Sequence, residues 1–531
     1  MEQGLVKVYE AKVLVLGEGG AGKTSLANKI LDADYKLKSE EKSTQGIDIL
    51  KYQFLIDDKK FTAHIWDFGG QEIYHATHQF FLTKRSLYIL VADTRKEDAR
   101  FEYWLQIVEL LADDSPIIIV KNEKQDRSCE INEPRLKGRF EQLKHIESTN
   151  LKTNRNLESI LEQLQFELKR LPHVGQTLPK TWVDVRLALE SDNRNYIGLN
   201  EFLDICEQNG FKRREDKLQL SGYLHDLGTC LHFQNDPLLN KTVILKPEWG
   251  TDAVYKVLDN QRVRNNHGRF NKNNLSDIWQ VAEYDNMHDE LLQLMVNFKL
   301  CYKLEYCDTY IAPQILPTKQ PNFAWDEKDN TLLRYDYEFM PKGMMTQFIV
   351  AMHKDIEDKQ QRVWKEGVVL QKNQTRAEVT EEYEKRQIHI RIQGNNRREL
   401  ATVVLHEWDK IHDSYYNLKV QKLIPCNCRE CQNQQEPYFH TYETLLNLKS
   451  KGKPESQCGR SGEMVNIQNL LGDVLSDYEK QDDSINVNII KVDGDMNNSN
   501  ANQGDNVEQQ LAEFAKLPPE QRTAILAQLQ K

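Results

Sequence analysis

The sequence predicts an α/β chain: a mostly parallel sheet first, then a helical unit closed by a hairpin, then an α+β unit. Three observations carry this. Residues 10–30 run from an apolar strand through a glycine loop into a helix-spaced segment; buried strand-like and helical stretches alternate up to about residue 170; and long alternating strands, TLLRYDYEFM, QRVWKEGVVLQ, TRAEVTEEYEK and RQIHIRIQG, take over from about residue 280.

The first element is the most informative. Val13-Leu14-Val15-Leu16 reads as a buried strand, Gly17, Gly19, Gly20, Ala21 and Gly22 form a loop, and Lys23, Thr24 and Ser25 open a helix. That order is a P-loop. Glycines let successive N–H groups curl around a phosphate, and the helix N-terminus adds partial positive charge. Lys23 is expected to reach the β- and γ-phosphates and the Thr24 hydroxyl to ligate Mg²⁺. Gly17, Gly19 and Gly22 also spell the G-x-G-x-x-G of dinucleotide folds and kinase loops, but Lys23-Thr24 directly after Gly22 decides against both.

Two alternating runs, DILKYQFLI and FTAHIWDF, read as an antiparallel pair. Thr44, in the loop before them, is the candidate second Mg²⁺ ligand. The later strand ends in Asp67-Phe68-Gly69-Gly70-Gln71. Asp67 can hold Mg²⁺ through water, Gly70 can offer its N–H to a γ-phosphate, and Gln71 can orient an attacking water. Asp67-Phe68-Gly69 imitates the magnesium motif of protein kinases, yet the chain has no H-R-D catalytic loop, so the kinase reading fails.

SLYILVAD and SPIIIVKN are two further buried strands separated by a helical stretch, which implies a parallel sheet with ligands at its carboxyl edge. The base-reading loop leaves the last of them at Asn122, Lys124 and Asp126. A guanine reader is expected to have N-K-x-D; here Asn and Asp are four positions apart instead of three, so guanine is the reading and adenine stays open. Ser148, before the helical NLESILEQLQFELKRL, marks the other base-side loop. Arg95 and Arg100, just past Asp93, are candidates for an arginine finger supplied in cis or across a dimer.

Net charge is −11 over 531 residues with both signs interspersed, so there is no basic footprint for nucleic acid or an anionic membrane. No apolar run approaches the roughly 18 residues of a membrane span. A cytoplasmic protein is expected.

With those motifs in hand the chain resembles a known family. GEGGAGKTS, Thr44-Gln45-Gly46-Ile47, WDFGGQE and FEYWLQIVELL together resemble the Roc (Ras of complex proteins) domain, and SGYLHDLGTCLHF, ILKPEW, ELLQLMVNFKLCYKL, YIAPQILP and YDYEFMPKGMMTQFIVAMH resemble its partner, COR (C-terminal of Roc). The resemblance implies a Roco protein of bacterial type without leucine-rich repeats or kinase. It further implies a Ras-like P-loop GTPase domain at 1–172, a winged-helix-like COR-A at 173–275 and an α+β dimerisation domain, COR-B, at 276–475. A flexible Asn/Asp/Gly-rich linker at 476–506 and a helical segment at 507–531 follow. Its expected ligands are GTP and GDP with Mg²⁺, and its expected partners a second copy through COR and an unidentified effector. Such a protein couples nucleotide state to dimer arrangement in intracellular signalling; a nucleotide-gated scaffold with negligible turnover, or an ATPase, are the alternatives.

The second chemical signal is C-x-C-x₂-C at Cys426, Cys428 and Cys431, followed by Cys458, with His440 between. Four thiolates at a loop and a later strand suit a structural Zn²⁺, His440 being a substitute for one of them; plain reduced cysteines are the alternative.

Overall fold

The computed structural model describes residues 4–37, 46–56, 58–69, 86–95, 101–112, 114–127, 130–326, 330–432, 434 and 436–472. Thr44, Gly70, Gln71 and Arg100, and the expected units at 476–506 and 507–531, lie outside the described residues.

Glu10–Leu16 is buried on both faces, as a central parallel strand must be. It organises a six-stranded sheet in the order Ile47–Ile56, Lys59–Phe68, Glu10–Leu16, Ser86–Asp93, Ile117–Asn122, Leu143–Thr149. Every neighbouring pair is parallel except the first, where Ile47–Ile56 and Lys59–Phe68 form the expected hairpin. Because the strands are pleated, odd and even positions part company. Val13, Val15, Ile65, Ile89, Val91, Ile118 and Val120 face helices Lys23–Leu31 and Leu157–Arg170. Leu14, Leu16, Trp66, Phe68, Tyr88 and Leu90 face the other way, against helix Phe101–Ala112 and the second unit.

That second unit packs helices Lys180–Ser191, Leu199–Gln208 and Arg214–Asp226 around a short antiparallel pair, Tyr196–Gly198 with Thr242–Ile244. A single bridge between Leu231 and Ile244 widens it. Strand Thr242–Ile244 ends shortly before Pro247, which begins helix Pro247–Asp259 at a position where its missing N–H costs nothing. The expected boundary at 275/276 falls inside this unit. Arg269–Asn271 pairs with Thr309–Ile311, which also pairs with Tyr302–Lys303, so strands on both sides of that boundary belong to one small sheet.

The third unit is a seven-stranded antiparallel sheet, in the order Val363–Trp364, Gly367–Lys372, Thr375–Glu382, Gln387–Gln393, Thr331–Tyr337, Val420–Pro425, Phe439–Thr441. Helices Met344–Ala351 and Arg397–Asp413 pack against it, and Phe348 stacks on Trp408 with ring centroids 4.7 Å apart. QRVWKEGVVLQ, read from sequence as one strand, turns back on itself at Lys365-Glu366. A side chain at Gly367 would lie 2.3 Å from the Trp364 ring, so the turn closes only around glycine.

Candidate functional site

The loop between Leu16 and Lys23 curls through three glycines with positive φ, at Gly17 (137°), Gly20 (76°) and Gly22 (104°). Two of them are also forced by space. A Cβ at Gly17 would sit 2.2 Å from the Val91 carbonyl oxygen, and one at Gly22 would sit 2.4 Å from Asn122 Nδ2. Lys23 is buried and folds back over the loop, donating to the carbonyls of Gly17 (2.9 Å) and Glu18 (3.0 Å).

Asn122 and Lys124 reach across from the far strand. Asn122 Nδ2 donates to the Ala21 carbonyl at 2.9 Å and Lys124 Nζ to the Gly20 carbonyl at 2.6 Å, which ties the base-side loop to the phosphate-side loop. Lys124–Asp126 forms one 3₁₀ turn with Gln125 left-handed (φ 58°), and this turn takes up the extra residue in the Asn-to-Asp spacing. The side chain of Asp126 lies outside the described part of the structure. Ser148 stands beside Lys121 in the neighbouring strand, and its carbonyl accepts from Asn156 Nδ2 at 3.0 Å.

On the metal side, Thr24 Oγ1 donates to Asp67 Oδ2 at 2.6 Å, and Asp67 is fully buried. A hydroxyl and a carboxylate brought together at the start of the P-loop helix are hard oxygen donors of the kind Mg²⁺ takes, so the residues present fit that ion. Ser25 follows Thr24 in the first turn of the helix.

Arg95 departs from the role expected of it. Instead of standing free to meet a phosphate, its guanidinium grips Asp93 in a fork, Nε to Oδ1 at 3.0 Å and Nη2 to Oδ2 at 2.7 Å, with Lys124 Nζ 3.9 Å from the same carboxylate. Burial pushes the Asp93 carboxyl up, but the Arg95 hydrogen bonds and the charges of Arg95 and Lys124 outweigh it and hold it below the ordinary carboxylate range.

Sequence reasoning did not find the residues that form the seam beside this site. Gly228, at the end of helix Arg214–Asp226, has φ 71°, and a Cβ there would lie 2.7 Å from the ring of Trp66, the residue before Asp67. Gly46, two residues after Thr44, meets the Tyr255 ring, and its carbonyl accepts from Gly69 N–H at 2.9 Å. Arg186 bonds Glu10 and Glu190, and Glu190 in turn pairs with Lys51 at 2.9 Å. Among these, a glycine pressed on a tryptophan carries no periodic signal; the structure also shows Lys12 buried on that face.

The four cysteines of the second signal converge. Cys426, Cys428, Cys431 and Cys458 are buried free thiols whose sulfurs all lie within 4.8 Å of one another. His440 is not in the set; its Nδ1 pairs with Ser456 Oγ at 3.2 Å.

Comparisons with known proteins follow the same three-part division. The Roc model (Ras of Complex, Roc, domain of DAPkinase) matches residues 12–126, the COR-A model (C-terminal of Roc) 179–316 and the COR-B model 328–473. A Dictyostelium discoideum protein described as "Probable serine/threonine-protein kinase pats1" is 25% identical over 520 residues, 89% of this chain and 16% of that one. A "Roc-COR-CHAT protease" of Runella zeae is 29% identical over 419 residues, 72% of this chain and 44% of that one. The chain thus spans less than half the length of these relatives. The solved RocCORdC structure of Methanosarcina barkeri Roco2, bound to GDP, is 34% identical with a TM-score of 0.52, covering 60% of this chain and 98% of that one.

Proposed function

The chain belongs to the Roco family of Roc–COR proteins, and from that premise we propose that it binds GTP and GDP with Mg²⁺, hydrolyses GTP, and passes its nucleotide state to COR. The observation that carries this reading is the double tie of Asn122 to Ala21 and Lys124 to Gly20, which makes the phosphate loop and the base loop one site.

The phosphates lie against the N–H groups of residues 19–25, a preorganised anion cradle at a helix N-terminus. Lys23 exchanges its two loop carbonyls for phosphate oxygens. Thr24, Thr44 and Asp67 hold Mg²⁺, which when bound neutralises charge on the transferring phosphate. Gln71 positions the water for in-line attack, and Gly70 donates its N–H to the γ-phosphate. Asp126 accepts from the guanine N–H groups while Asn122 braces its loop. The Arg95 fork keeps that residue on Asp93, so a charge-stabilising arginine comes from elsewhere, a second copy included. Dimerisation through COR-B and an effector read by the dimer belong to the same proposal.

The scaffold alternative has one observation in its favour: Gly46 and Trp66, which flank the Mg²⁺ residues, are both pressed against COR-A, a contact that exists without turnover. Calorimetry of GTP, GDP and ATP with Mg²⁺ on the wild type and Asp126→Ala tests the base. Guanine binding lost on substitution is expected; equal ATP binding, or indifference to Asp126, refutes it. Single-turnover hydrolysis by Gln71→Ala is expected to fall roughly 100-fold or more, and unchanged turnover favours the scaffold. Lys23→Ala is expected to weaken either nucleotide by roughly 100-fold, the worth of a lost charge-assisted phosphate contact.

A further inference from the structure

The strongest feature outside the nucleotide site is the cysteine cluster of COR-B, and it stands independently of the reading above. Its sulfurs come from two turns. The first follows strand Val420–Pro425: Cys431 and Gln432 N–H both donate to the Cys428 carbonyl, at 3.1 and 2.9 Å, which curls Cys428–Cys431 into a knuckle. The second lies between strands Glu455–Gln457 and Met464–Asn466, where Gly462 N–H donates to the Cys458 carbonyl at 2.9 Å. Gly459 is required there, since a Cβ would lie 2.4 Å from the Tyr438 ring.

The spacing of the sulfurs distinguishes the possible chemistries. Cys458 Sγ stands 3.7 Å from both Cys428 Sγ and Cys431 Sγ. A disulfide needs about 2.05 Å and joins one pair, whereas here one sulfur is equidistant from two others. Four thiolates around Zn²⁺ at about 2.3 Å stand about 3.8 Å apart on the edges of a tetrahedron. Donors are aimed at the sulfurs as well: Tyr438 N–H to Cys431 at 3.3 Å, Arg460 and Ser461 N–H to Cys458 at 3.4 and 3.5 Å, and Ser461 Oγ to Cys428 at 3.4 Å. Such donors stabilise sulfur as the thiolate and spread the charge of a metal–tetrathiolate centre.

We propose that Cys426, Cys428, Cys431 and Cys458 bind one structural Zn²⁺ that staples the hairpin at 455–466 to the end of the COR-B sheet. All four positions come from buried protein thiols, so no site is left open for water or substrate, and the role is structural rather than catalytic. The element that needs it is clear. The hairpin pairs only three residues on each strand, too few to hold by themselves. Helices Tyr442–Ser450 and Ile467–Gly472, which flank it in sequence, reach the sheet's last strands through this corner.

The test is metal analysis of the full chain purified without added metal. About one Zn²⁺ per chain is expected, released by a mercurial that attacks thiolates, and the same value with or without nucleotide. Replacing the metal with Co²⁺ is expected to give the intense thiolate-to-metal absorption of a tetrahedral tetrathiolate site, a readout that needs no mutant. Cys428→Ser with Cys458→Ser is expected to lose the metal while Cys206→Ser keeps it; guanine-nucleotide binding survives both. Stoichiometric iron, a metal-free chain, or a Co²⁺ spectrum without thiolate bands overturns the proposal. Retention of a full equivalent of zinc by the double variant does so too, and none of these results bears on the nucleotide site.

Discussion

The two faces of the nucleotide sheet are built from the same strands and covered in different ways. One face carries Val13, Val15, Ile65, Ile89 and Val120, small branched residues closed by two helices from within the domain. The other carries Trp66, Phe68 and Tyr88 and the buried Lys12; it is closed partly by helix Phe101–Ala112 and partly by COR-A, whose Leu231, Trp249 and Tyr255 join the same core. The first face is self-sufficient and carries Thr24 and Asp67. The second is a domain interface with the packing of a domain interior, so a change at the site and a change at COR share neighbouring residues of one strand.

The largest effect that can break this comparison is Trp66→Ala. If the seam is core, it costs about 3–5 kcal/mol in full-chain unfolding; a cost below about 1 kcal/mol reduces the seam to a surface contact. Next is Gly228→Val, which places a branched side chain at positive φ against the Trp66 ring. About 1–3 kcal/mol is expected from overpacking and strain, measured by denaturant midpoint.

Lys12 sharpens the contrast through pH. Burial lowers its ammonium pKa from 10.5 to about 7, although the Trp66 ring 3.8 Å away attracts the charged form. Between those two values the unfolded chain binds more protons than the folded one, so stability rises with pH from about 7 to about 10.5. Lys12→Met is expected to remove that rise in denaturant curves taken across the window; a slope unchanged by the substitution assigns it to other groups. The smallest effect is Lys51→Ala, which breaks the half-exposed pair with Glu190 and is expected to cost about 0.2–1 kcal/mol, less at high salt.

Much of the site was legible before the fold was known, because its signals are local. Gly17, Gly20 and Gly22 are needed where φ is positive, and Lys23 and Thr24 follow them in the next turn of chain. Asn122 was legible as a strand-end residue, but that its amide would grip Ala21 across 101 positions was not, since no periodicity links two loops so far apart. The fork of Arg95 on Asp93 was also hidden: two residues of separation permit it, and only the turn after the strand selects it over an outward pose. QRVWKEGVVLQ misled because an unbroken alternation and a tight hairpin share one composition, and only contact between Gly367 and Trp364 distinguishes them.

What the sequence by itself determined is the set of elements and the chemistry they carry: backbone sterics place the glycines, alternation sorts the strand faces, and C-x-C-x₂-C followed by Cys458 marks out four candidate thiolates. What only the tertiary structure decided is which distant pieces meet. COR-A closes the open face of the sheet through Gly228, the helical unit continues past residue 275 because its strands pair there, and the four sulfurs come within 4.8 Å of one another. Those outcomes depend on burial and on contacts between residues tens to hundreds of positions apart, where shape complementarity selects the partner and local propensity has no preference.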